Sequence, residues 1–429
     1  MFLLRFTLTA TLLLPLAATA QPSAPPSTAT SSTGTATLRD SLRRAGTHEL
    51  HVFYIHGMAA GGSGDFDSWG LRKSICDHLG DCTSPAGEMD GRDYADQGRF
   101  ALDTQPPDLK YLGEPVWRSQ QEWNAAAPFV IHWKLARTSG SSVYVDEINW
   151  WPLVFALKCR EIVASEAELV GPAEPYLSLC SRSEPDDAKT FPGRYKSYPW
   201  ITPAEATRLR GLPENGARLN RAWKGSLLDW GMSDVVMAIG AMRPLLIDGI
   251  RQLILKSVTV TPSHTRGLAD PPDQEFVMVT HSLGSYLIFS ALDLRAADVN
   301  APTPQNVRTQ FKEILQHTSQ VYFFANQVRF LELADLDASE TMLSHLQAWA
   351  DLRTQYLKDS GRESEGPPQI VAWNDPSDLL TWNVPPLGSV TVRNIQVRNA
   401  PHWFWLFENP TKAHDRYAQN KKIIRQMMK

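Results

Sequence analysis

Apolar and polar positions divide the chain into short continuous apolar runs and longer stretches with helical spacing. Leu50 to Ile55, Phe276 to Val279, Gln320 to Asn326 and Gln369 to Trp373 read as strands buried on both faces. Ser389 to Val397 alternates like an outer strand. Phe129 to Leu135 and Val143 to Trp150, separated by Ser-Gly-Ser-Ser, predict a hairpin whose second strand enters the central sheet. Helical spacing covers Ser68 to Leu79, Leu219 to Val258 (as one or two helices), the residues after Ser282, Ser339 to Leu357, and Lys421 to Met428. Asn420 stands where it can cap the last of these. Strands separated by helices imply right-handed crossovers. The expected fold is α/β, with a mostly parallel central sheet and helices on both faces.

Two long stretches lack this patterning. Residues 81–128 are rich in Pro, Gly and Asp, and residues 152–217 carry many prolines and two cysteines. Both read as irregular, and they lengthen the gap between the first buried run, Leu50 to Ile55, and the second, Phe276 to Val279, far beyond what one crossover needs. They are expected to form a cap over the carboxyl edge of the sheet, where open α/β sheets bind ligands.

The N-terminus has its own composition. Arg5, an apolar segment through Leu12 to Ala17, and Ala18-Thr19-Ala20 predict a signal peptide (residues 1–20) cleaved after Ala20. Residues 21–47, rich in Pro, Ser, Thr and Ala, read as a disordered linker before a domain spanning 48–429. Periplasmic or secreted location gives the four cysteines a meaning, since export favours disulfides. Cys76, Cys82, Cys159 and Cys180 allow three pairings; Cys76–Cys82 and Cys159–Cys180 are preferred because each closes a short loop. Their spacing fits no zinc pattern. Net charge is −4 over 429 residues with 21% charged, and no basic stripe argues for nucleic acid.

The chemistry concentrates at residues 275–290. A buried strand runs into Thr280-His281-Ser282-Leu283-Gly284, then a helix. Such a turn lifts one hydroxyl above an α/β sheet, and glycine suits it where backbones approach closely. A serine hydroxyl needs a base to take its proton, and that base needs a carboxylate to hold its tautomer. The downstream order Ser, acid, His is available. Asp375, two residues past the strand ending at Trp373, is the preferred acid, with Asp378 its rival. His414, in a loop before the last helix, is the preferred base, and His402, in an apolar run, the alternative. His281 reads as structural, and His56 as shaping the loop after the first strand. The oxyanion is expected to meet the backbone N–H groups of Leu283 and Met58.

Tyr-Ile-His-Gly-Met at 54–58, Val-Thr-His-Ser-Leu-Gly-Ser at 279–285, Asn-Asp-Pro-Ser-Asp at 374–378 and His414-x-x-Tyr417-x-x-Asn420 together resemble the α/β-hydrolase superfamily, its serine esterases and lipases in particular. The resemblance covers about 49–80 and 270–429, by strand-and-helix pattern. Thr280 departs from the first glycine of the usual motif. The resemblance implies hydrolysis of a small-molecule or lipid ester through an acyl-enzyme on Ser282, without metal or organic cofactor. An amidase or peptidase could use the same three groups, and an envelope binding protein could keep the frame without the chemistry. Fourteen tryptophans are expected chiefly to pack the cap on the core. Their sharper reading is an acyl pocket or a lipid-facing lid in peripheral contact with a membrane.

Overall fold

The computed structural model describes residues 37–43, 49–58, 68–80, 82, 88–89, 106–135, 142–171, 174–181, 198–215, 221, 224–259, 274–292, 305–335, 341–400, 402–403, 407–408 and 410–428. The expected signal peptide and its cleavage point lie outside them.

One sheet of eight strands organises the chain. In chain order these are β1 (Glu49–Ile55), β2 (Glu88–Met89), β3 (Phe129–Leu135), β4 (Ser142–Asn149), β5 (Gln274–His281), β6 (Thr318–Phe324), β7 (Gln369–Asn374) and β8 (Thr391–Gln396). Their spatial order is β8-β7-β6-β5-β1-β4-β3-β2. The six strands from β8 to β4 run parallel. β3 is antiparallel to β4, as the hairpin reading required, and β2 is antiparallel to β3. All seven residues of β1, at the centre, are buried.

Alternate side chains of each strand enter two separate apolar layers, as a pleat with period two dictates. Phe53, Ile55, Met278, Phe323 and Ile370 join one layer with residues of the helices Arg243–Thr259, Leu283–Leu292 and Met342–Asp359. Val52, Tyr54, Val279, Phe324 and Trp373 join the other, with the helices Trp69–Leu79 and Lys421–Met428. Burial on both faces explains why these strands read as continuous apolar runs. The Asn420 carboxamide oxygen accepts from the Lys422 N–H at 2.9 Å and caps the last helix as expected.

Two expectations change. Leu38–Arg43, inside the expected linker, is a helix with Leu38 and Ser41 buried, and the Gln320 amide donates to the Thr37 carbonyl. The stretch read as irregular from residue 152 is largely helical over its described part, with Pro152–Leu157, Lys158–Val163 (π-helical), Ala164–Val170, Glu174–Ser181 and Pro203–Arg210. Pro152 and Pro203 stand at helix starts, where a missing N–H costs nothing. Both preferred disulfides form: Cys76 lies in the core-packed helix Trp69–Leu79, and Cys159–Cys180 ties two helices together. Two disulfides fit an exported protein.

A charged cluster is buried in the sheet. Asp146 of β4 accepts from His51 of β1 at 2.9 Å and bonds His132 of β3. Burial opposes charge on His51, but hydrogen bonds and fields from Asp146 and Glu49 outweigh it and raise its pKa from 6.5 to about 9. A folded value above the unfolded one gives stability that is complete below pH 6.5 and lost as pH rises through about 9. Thermal unfolding should therefore show a fall in Tm between these pH values that His51→Gln flattens. Equal slopes in the two proteins would show that His51 carries no linked proton.

Candidate active site

Ser282 follows β5 directly, at φ 52, a left-handed conformation uncommon outside glycine. Three contacts hold it there. Its N–H donates to the Phe324 carbonyl of the neighbouring strand at 2.8 Å. Its carbonyl accepts from the Ser285 hydroxyl at 2.6 Å and the Ser285 N–H at 3.0 Å. Strain of this kind persists only where surrounding bonds over-determine it.

Two glycines let the elbow approach β1. A Cβ on Gly284 would lie 2.5 Å from the His56 carbonyl oxygen and 2.7 Å from that of Ile55, both backbone atoms. A Cβ on Gly57 would lie 2.6 Å from the Ser282 Cβ and 3.2 Å from its Oγ. The loop after β1 thus passes in backbone contact with the serine. Thr280, where the usual motif has glycine, is fully buried within β5.

The Ser282 Oγ stands 2.9 Å from His414 Nε2. His414 Nδ1 stands 2.9 and 3.0 Å from the two carboxylate oxygens of Asp378. A carboxylate only accepts, so Nδ1 carries the proton and Nε2 is left as the acceptor for the serine hydroxyl. Ser282 and Asp378 are buried, while the His414 side chain keeps 12% exposure. The structure therefore brings together Ser282, His414 and Asp378.

The preference for Asp375 is corrected. Asp375 is buried but faces backbone, accepting from the Ser377 N–H at 2.9 Å and the Asn399 N–H at 2.6 Å. It shapes the turn that carries Asp378. Tyr417 links the two: its hydroxyl accepts from the Asp375 N–H at 2.7 Å and donates to Asp378 at 3.1 Å. Burial, then the neighbouring Asp378 charge, push the Tyr417 pKa upward, so it remains a donor. His402 lies in the short strand His402–Trp403 paired with Phe407–Glu408.

The other two histidines act on backbone. His281 bonds the His414 carbonyl through Nε2 at 2.8 Å. Desolvation, with the neighbouring His414 ring, lowers its pKa to about 4, so a neutral ring donates this bond. His56 bonds the Gly57 carbonyl through Nδ1 at 2.9 Å, and burial lowers its pKa to about 3. Its ring stacks on Trp150, whose indole N–H donates to the His56 carbonyl at 3.2 Å. His56 and Trp150 thereby fix the loop bearing Gly57 and half-buried Met58. Leu283 opens the elbow helix, where the first N–H groups of a helix have no partner within it.

Gln327 was not singled out from the sequence. It is buried, and its amide Nε2–H donates to the Ser282 Oγ at 2.8 Å. A buried glutamine shortly after a strand's carboxyl end, beside the elbow strand, was the available signal. No protein-family model, curated protein or solved structure matches this chain.

Proposed function

We propose that this protein is an exported serine hydrolase of the α/β-hydrolase kind that cleaves carboxylic esters through an acyl-enzyme on Ser282. One observation carries the reading: an uninterrupted chain of hydrogen bonds from the Ser282 hydroxyl through both nitrogens of His414 to Asp378. Ser282 and Asp378 follow the carboxyl ends of β5 and β7, and His414, expected in a loop, lies in the short helix Pro410–Asp415 before the last helix. This is the constellation that makes an alcohol nucleophilic.

The reaction follows from the atoms present. His414 Nε2 takes the serine proton as Oγ bonds the ester carbonyl carbon, and the carbonyl π electrons move to its oxygen. That oxyanion would meet the N–H groups of Leu283 and Met58. As the C=O bond re-forms, the C–O bond to the alcohol breaks, and the alcohol leaves with the proton from His414. Water then repeats the sequence, releasing the acid and restoring the serine. Asp378 holds the imidazole tautomer and stabilises its positive charge throughout. Small-molecule or lipid esters are the expected substrate class.

Ser282 is fully buried, so the reading requires the chain over it to give way when substrate enters. A fluorophosphonate probe tests this on the intact protein. Covalent mass should appear at Ser282, with hydrolysis of a p-nitrophenyl ester lost in step. A protein that stays unlabelled, or is labelled elsewhere, removes Ser282 as nucleophile.

A further inference from the structure

We propose that Gln327 is a fourth catalytic residue, whose amide N–H supports the charge on the Ser282 oxygen as the nucleophile forms and later departs. The inference rests on the serine-hydrolase reading above.

The orientation of the amide follows from the neighbours of Oγ. The serine proton goes to His414 Nε2, which presents a lone pair at 2.9 Å. Oγ must then accept from its other polar neighbour, and the Gln327 Nε2–H at 2.8 Å is a donor. One lone pair of Oγ remains to attack. The hydroxyl is thus held in one rotamer, its proton aimed at the base.

The turn that presents Gln327 is fixed to the same elbow. The Phe324 carbonyl, last residue of β6, accepts the Ser282 N–H. Ala325 follows at φ 50, a second left-handed residue beside the first, and reverses the chain at once. Asn326 locks the reversal: its Oδ1 accepts from the Val328 N–H, its Nδ2–H donates to the Trp382 carbonyl, and its own carbonyl accepts from the Trp382 N–H. Gln327 is therefore held rigidly, and its donor needs no reorganisation at the moment of reaction. As the proton leaves Oγ, a neutral bond becomes charge-assisted and strengthens. The same holds in reverse when Oγ leaves the acyl carbon during hydrolysis.

The test compares the rate of fluorophosphonate labelling at pH 8 in wild type, Gln327→Met and Gln327→Glu, with Tm measured alongside. Methionine matches the length of glutamine without the donor, so labelling should slow by about 10- to 100-fold. Glutamate matches the shape but only accepts, and it competes with His414 for the serine proton. It should be slower still. A packing role alone predicts the opposite ranking, because glutamate is the closer shape. Methionine labelling within twofold of wild type, or glutamate faster than methionine, overturns the proposal. Should Gln327→Met fail to fold, a Gln327→Glu protein that labels as fast as wild type overturns it equally. Wild type unlabelled at Ser282 would instead remove the nucleophile itself, a distinct result.

Discussion

Asp378→Asn should lower kcat/KM for a p-nitrophenyl ester about ten-thousand-fold while the protein stays folded. The size follows from tautomer control at one nitrogen. In the native site both Asp378 oxygens face His414 Nδ1; Oδ1 also accepts from the Leu380 N–H at 2.9 Å and Oδ2 from the Tyr417 hydroxyl at 3.1 Å. An asparagine has a single oxygen for the Leu380 and Tyr417 donors, so in either orientation its NH₂ takes the place of one acceptor beside Nδ1. Its NH₂ would then face His414 Nδ1. Nδ1 would become the acceptor, Nε2 would carry the proton, and the imidazole could no longer take one from Ser282. Asp375→Asn is the control, since it loses two charge-assisted bonds to backbone N–H groups but leaves the imidazole's partner in place. Its cost should fall on stability, with activity within about tenfold of wild type. A larger activity loss in Asp375→Asn than in Asp378→Asn would reverse the assignment.

Gly57→Ala should lower kcat about 100- to 1,000-fold, the effect of removing an oxyanion donor. The added methyl would overlap the Ser282 Cβ at 2.6 Å and press on the His281 carbonyl oxygen at 3.1 Å. Neither can retreat easily: β5 is buried on both faces, and the loop is pinned through His56 to Trp150. The loop must lift away, taking the Met58 N–H with it. The expected stability loss is smaller, about 1–3 kcal/mol for an overpacked site. Steady-state kinetics with calorimetry separates the two effects. Unchanged kcat would mean that this loop does not serve the oxyanion.

Much of the sheet is legible in the sequence because strands buried on both faces must be apolar throughout. β1, β5, β6 and β7 announce themselves in this way, and Thr-His-Ser-Leu-Gly marks the strand–turn–helix between β5 and its helix. The caps and short-range disulfides are local too. Cys76–Cys82 and Cys159–Cys180 close the shortest loops, and Asn420 serves the helix that follows it. The helical stretch after Pro152 was misread although one local sign was present. Thr202-Pro-Ala-Glu205 is a helix-start signature, with the Thr202 side chain accepting from the Glu205 N–H.

Local patterning thus determined seven of the eight strands (all but the edge strand β2, inside the stretch read as irregular), the elbow and the identity of Ser282 and His414 as candidates. Only the tertiary structure decided between Asp375 and Asp378, because three residues in one turn can place either carboxylate towards the base. The backbone N–H groups of Ser377 and Asn399 claim the first, leaving the second to His414. Gln327 belongs to the same class. Its contact with Ser282 arises from two adjacent strands ending level and from a reversal at Ala325, neither of which a linear pattern of apolar and polar residues encodes. Periodicity records which face of an element is buried; it does not record which atom meets which across the edge of a sheet.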